Sequence, residues 1–281
     1  GAAFPSGAVN DATAQRRITP AAAVNWFTGS GVGWRLASGD HDGDGTEDLF
    51  ASMVFGGGGS AGAAVVFYGG TVPSGTVAIS DVSAAGSGTA VIRMYEVIDP
   101  NFPGIGLHNL GRTQGSADVT DDIALAFDET LPDQDVLVFR GAGRPGAAGV
   151  TREPFTVGRD VRLRFVTPDT TSVWGATMGS LDDQNGDGAR DIVVGDWREG
   201  SNEGRIHIID GDTVGTAGIA TTTTAGVVIS ELRRTDVNAQ LGVAILNNAD
   251  ASDADVDGDG REDLVVAARV GTSTQAALHI W

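Results

Sequence analysis

A nine-residue acidic pattern occurs three times along this chain, and its spacing narrows the possible folds more than any other feature. The copies are Asp40-His41-Asp42-Gly43-Asp44-Gly45-Thr46-Glu47-Asp48, Asp183-Gln184-Asn185-Gly186-Asp187-Gly188-Ala189-Arg190-Asp191 and Asp255-Val256-Asp257-Gly258-Asp259-Gly260-Arg261-Glu262-Asp263. Their last aspartates are 143 and 72 residues apart, so one copy is missing near residue 120. Residues 118–126 keep an acidic turn and an apolar run there but lack the Asp-Gly core. An apolar residue followed by glycine recurs in phase, at Val32-Gly33, Ile105-Gly106, Trp174-Gly175 and Leu241-Gly242. Four units of about 70 residues therefore fill the chain.

Each unit reads as four short strands. One follows the apolar-Gly pair, one leaves the acidic loop (Asp48–Ala51, Ile123–Ala126, Asp191–Val194, Asp263–Val266), and a third is nearly all apolar (Ala64–Tyr68, Val136–Phe139, Arg205–Ile209, Ala277–Trp281). The fourth carries arginine or alternates, as an exposed edge does: Val91–Glu96, Val161–Phe165 and Val227–Leu232. The last unit ends without its fourth strand, and Gln15–Thr19 is a spare edge-like segment before the first. Four-stranded units in series predict one all-β domain over 1–281, a β-propeller of four antiparallel blades. The blades run about 24–97, 98–167, 168–234 and 235–281, with 15–19 closing the ring on the last.

In the loop D-x-[DN]-x-D-G-x-x-D, carboxylates at positions 1, 3 and 5 converge on one point. The glycine at position 6 permits the turn, the position 7 carbonyl is a neutral donor, and Asp at position 9 closes the shell. Hard oxygen donors in a flexible cage suit Ca²⁺ better than Mg²⁺. An EF-hand is excluded, because position 12 is Ala51, Val194 or Val266, within a strand. Asp, Asn and Gly are also ordinary turn formers, but three copies in phase with a repeat weigh toward bound calcium.

These loops, the apolar-Gly pairs and strands such as Asp191-Ile192-Val193-Val194-Gly195 resemble the FG-GAP/VCBS repeats of integrin α-subunits and secreted bacterial proteins. The resemblance covers the chain, weakly in the second unit. It implies structural calcium held by Asp40, Asp42, Asp44 and Asp48; by Asp183, Asn185, Asp187 and Asp191; and by Asp255, Asp257, Asp259 and Asp263. Thr46, Ala189 and Arg261 would lend backbone carbonyls. Three sites are expected and none in the second unit, which would bring the formal charge from −19 to −13.

Composition narrows the function. There are 37 acidic residues against 18 basic ones, every basic residue being arginine, which argues against a nucleic-acid partner. The absence of Cys removes disulfides, thiolate metal sites and cysteine catalysis. No apolar run approaches a membrane-spanning length, so membrane insertion is not expected. The sequence begins at Gly1 and shows no signal-peptide pattern. Its acidity points to an extracellular or cell-surface, calcium-rich setting.

The expected activity is non-catalytic binding of a glycan or an extracellular protein. Trp197, in the polar loop Gly195–Gly200, is the first candidate contact and His108, two residues after Gly106, the second; Trp26, Trp34 and Trp174 are further aromatics. A spacer module in a larger surface protein is the alternative. An enzyme is a third reading, for which G-x-S-x-G and H-E-x-x-H are lacking and only Asp121-Asp122 offers an acid/base pair.

Overall fold

Short apolar runs punctuated by Gly and Asp give strands, and the chain is all-β. The computed structural model describes residues 16–20, 31–54, 63–72, 75–79, 90–96, 106–115, 117–126, 133–154, 160–166, 172–212, 219–246, 255–269 and 276–281. Among them one short helical turn, Glu199–Asn202, is the sole non-strand element.

The first sheet is built from β2 (Gly31–Gly39), β3 (Asp48–Val54), β4 (Ala63–Phe67) and β6 (Val91–Glu96), antiparallel throughout. The second comprises β7 (Gly106–Gly111), β8 (Asp122–Ala126), β9 (Asp133–Phe139) and β11 (Val161–Val166). The third has β12 (Thr177–Leu181), β13 (Asp191–Asp196), β14 (Arg205–Ile209) and β16 (Val228–Arg233). The fourth stops at three: β17 (Ala244–Ile245), β18 (Val265–Arg269) and β19 (Ala276–Ile280).

Three further strands lie between the third and fourth strands of their own units and leave them. β10 (Gly149–Pro154) runs parallel to β6 of the preceding sheet, and β15 (Ile219–Thr221) runs parallel to β11. β5 (Gly75–Ile79) pairs in parallel with β1 (Arg16–Pro20), register Arg16↔Gly75.

The sheets stack through alternate side chains, the period-2 consequence of the pleat. Phe50, Val66 and Tyr95 of the first sheet meet Leu107, Ile123 and Phe139 of the second. The opposite face of the second sheet, with Ala126, Val138 and Phe165, packs on Trp174, Ile192 and Val194 of the third. Leu181, Val193 and Ile206 then pack on Leu264, Val266 and Ala268 of the fourth. The repeat glycine is needed where these sheets touch. Gly175 has φ +85°, and a Cβ there would lie 2.8 Å from Ala126 Cβ.

The closed four-bladed ring expected from the sequence does not form. The antiparallel ladders are four separate sheets of four, four, four and three strands, and none closes. The segment expected to complete the last blade pairs instead with β5, leaving β19 at the edge of its sheet. The fourth strands are not all free edges either. β10 covers β6, where Arg93 is 5% exposed and its Nε lies 3.2 Å from Glu153. Only the third sheet has the expected bare edge, with most of β16 exposed. The unit boundaries near 97 and 167, together with Trp26, lie outside the described residues.

Candidate metal centres in the acidic loops

The three acidic loops share one hydrogen-bond ladder, built wholly from their own aspartates. The position 1 carboxylate accepts from the amides of positions 5 and 6: Asp40 from Asp44 (3.0 Å) and Gly45 (2.9 Å), Asp183 from Asp187 (3.1 Å) and Gly188 (2.7 Å), and Asp255 from Asp259 (3.0 Å) and Gly260 (2.9 Å). The position 3 residue, Asp42, Asn185 or Asp257, accepts from the amide of position 5. Position 5, which is Asp44, Asp187 or Asp259, accepts from the amide of Thr46, Ala189 or Arg261. Such side-chain-to-backbone bonds are what make Asp and Asn loop residues. The glycines at positions 4 and 6 take positive φ in every copy, for example +74° at Gly43 and +82° at Gly45.

This curl turns the carboxylates onto one another. Oxygens of Asp40, Asp42 and Asp48 all lie within 4.8 Å of one another, as do those of Asp255, Asp257 and Asp263. Donors about 2.4 Å from a central ion are at most about 4.8 Å apart, so both triads fit a calcium-sized cation. The third loop differs at Asn185, whose amide nitrogen donates to Asp187 Oδ2 at 2.9 Å.

Position 9 ties the loop to the sheet. Asp48 accepts from the amides of His41 (3.0 Å) and Gly69 (2.7 Å), and Asp191 from those of Gln184 (2.7 Å) and Gly211 (3.3 Å). Gly69 and Gly211 follow the third strands, so each tie joins the start of the second strand to the end of the third. Burial pushes both carboxyls up to about 6, against the pull of the amides. Asp263 accepts from the Val256 amide at 2.7 Å. In the second unit Asp122 makes the same tie to Gly141 (2.7 Å), although the rest of its loop has diverged.

Sequence reasoning missed what reaches the loops from neighbouring units. Arg144, from the second unit, lays its guanidinium on the first loop, with Nε 3.0 Å from Asp42 Oδ2 and a further bond to Asp44. Asp121 Oδ2 accepts from the Asp40 amide (3.0 Å) and from Asn109 (3.1 Å). Arg190 and Glu262, both at position 8, form a bidentate pair (2.8 and 2.9 Å) between the third and fourth units. A cation at position 8 of one loop and an anion at position 8 of the next was the available signal.

The other candidates are used structurally. His41 is buried between Tyr95 Oη (2.7 Å from Nε2) and the Asp121 carbonyl (2.8 Å from Nδ1), and burial pulls it down to about 4. His108 lies in β7 with Nε2 shut away and no hydrogen-bond partner, and burial pulls it down to about 4. Trp197 is half-buried, with the Arg198 guanidinium 4.5 Å above its ring. Asp121 and Asp122 face different partners, so they do not form an acid/base pair. Among the described residues no helix is long and apolar enough to cross a membrane.

The chain matches no protein-family model, and no curated protein is similar to it.

Proposed function

We propose that this chain is a calcium-stabilised, non-catalytic repeat module of the FG-GAP/VCBS type, secreted or displayed at a cell surface, where it binds a glycan or another protein. The observation that carries the reading is the pair of carboxylate triads in loops of identical hydrogen-bond design. Calcium would be held by Asp40, Asp42, Asp44 and Asp48 in the first loop and by Asp255, Asp257, Asp259 and Asp263 in the fourth unit's loop. Asp183, Asn185, Asp187 and Asp191 would form a third site with one fewer charge. Bound calcium neutralises carboxylates that otherwise repel, and so favours the folded loop. Affinities of ~10⁻⁴–10⁻³ M are usual in extracellular modules, which supports a home outside the cell. Trp197, a half-exposed aromatic in a polar loop, is the side chain best placed to meet a ligand.

Thermal unfolding in millimolar CaCl₂ and in excess EGTA tests the calcium reading. A cation that binds only the native state adds RT ln(1+[L]/Kd), roughly 1–2 kcal/mol per site at these affinities. The midpoint is expected to fall clearly under chelation, and coincident melts would sink the reading.

Arg144 gives a finer test. Its guanidinium lies on carboxylate oxygens that the cation needs, so Arg144→Ala is expected to tighten one calcium site about two- to fivefold, the worth of an exposed ion pair. Calorimetric titration should show the other sites unmoved. Weaker binding in the variant would mean that the arginine supports the loop rather than competing for it.

A further inference from the structure

The first two sheets are each completed by five strands in one order: first, second, third, fourth, then a parallel strand from the following unit. These are β2-β3-β4-β6-β10 and β7-β8-β9-β11-β15. Two loose pieces of the chain add up to the same set. The last sheet, β17-β18-β19, has the first three strands and lacks the final two. The pair β1-β5 supplies a strand with a parallel partner from the following unit, as β6 has β10 and β11 has β15.

Both pieces leave apolar surface uncovered. In the last sheet Leu278 is 72%, Ile280 50% and Trp281 51% exposed. Trp281 hydrogen-bonds to Leu264 as Phe67, Phe139 and Ile209 pair with Leu49, Ile123 and Ile192, yet those three counterparts are buried. At the other end Leu49 is 38% exposed, whereas Ile123 and Ile192 are fully buried. Leu49 lines an open cleft of ≈ 410 Å³ with Ile18, Phe67 and Val72. Charge also matches. Residues 235–281 carry eight acidic side chains against two arginines, while residues 1–30 carry Arg16 and Arg17 against Asp11 alone.

We propose that two copies of this chain join head to tail, the β1-β5 pair of one copy completing the last sheet of the other along the free edge of β19. Within one chain these pieces are separate sheets, so the partner is a second copy. The edge supplies main-chain hydrogen bonds, and the contact continues the sheet-on-sheet packing already repeated inside the molecule. It is a heterologous interface, using different surfaces of the two copies, and it does not depend on calcium.

Light scattering across a concentration series is expected to give a mass that rises from 28.6 kDa toward multiples of it. Leu278→Glu should return the mass to 28.6 kDa without moving the melt in dilute solution, because that side chain is already exposed. A constant 28.6 kDa, or assembly indifferent to Leu278→Glu, overturns the proposal. The chain has no cysteine, so thiols can be placed singly. A mixture of Thr19→Cys and Ala277→Cys proteins treated with a short bismaleimide is expected to yield a two-chain product containing one of each. A double variant that bridges only within itself, with no mixed product, would place β1 on its own chain's edge and also overturn the proposal.

Discussion

Trp174→Ala is expected to destabilise the protein by roughly 3–5 kcal/mol, the usual range for deleting a large buried aromatic side chain. Trp174 is fully buried where the second and third sheets meet, its ring stacked on Phe165 at 5.5 Å and edge-on to His207 at 6.3 Å. Truncation leaves a void bounded by strands of two sheets. Gly175, the next residue, is already so close to Ala126 and Val136 that the backbone has little room to move. In a stacked repeat array, stability is close to a sum of unit terms and nearest-neighbour interface terms. Losing the middle interface should therefore also split one cooperative denaturant transition into two. Val237→Ala, at a 56% exposed position, is the control and should stay within about 0.5 kcal/mol of the parent. A Trp174→Ala protein that unfolds in one transition at nearly the parental midpoint would show that the sheets are coupled elsewhere.

The sequence revealed local structure well. Asp, Gly and Asp at fixed positions dictate the loop ladder, because each bond spans only a few residues, and apolar runs such as Ala64–Phe67 could hardly be anything but buried strands. Other parts were hidden. β5, β10 and β15 are short, and Gly149–Pro154 carries Arg152, Glu153 and a proline, so nothing in their patterning marks them as strands. The arginines of the fourth strands were misleading. Arg93 is paired with Glu153, while Arg162 and Arg164 converge on the buried carboxylate of Asp135, so these charges report partners and not exposure. Ring closure was illegible for a different reason. It depends on the angle accumulated from one sheet to the next, which no single unit encodes. In the acidic loops, the ligand oxygens could be read from the repeat, but Arg144 could not, since it arrives from 100 residues away.

Asp122→Asn is expected to stabilise the protein above neutral pH, against the usual direction for a buried polar substitution. Asp122 is fully buried, accepting from Thr113 Oγ1 and from the Gly141 amide. Burial raises its carboxyl to about 7, despite the opposing pull of those donors. The unfolded chain releases this proton near 3.8, whereas the folded chain keeps it until about 7. Between those values the folded state binds more protons, so this group's contribution is fully present in acid and falls as pH rises through about 7. A displacement of that size carries roughly 4 kcal/mol at most. An asparagine keeps the acceptor for Gly141 and turns its amide toward Thr113 Oγ1, which then accepts.

The gain of the variant over its parent should accordingly be near zero around pH 4 and grow to roughly 2–4 kcal/mol by pH 8. His41, His108 and His207, each pulled down to about 4 by burial, act in the opposite sense, since their contribution is lost as pH falls from 6.5. They are common to both proteins and cancel in the difference. Urea unfolding of the two proteins at matched pH measures it directly, and a difference that stays flat from pH 4 to 8 would mean that Asp122 is ionised throughout. The second unit is where such a carboxyl can remain neutral. Its loop has lost the aspartates that would gather a cation around position 9, so burial alone decides the proton there.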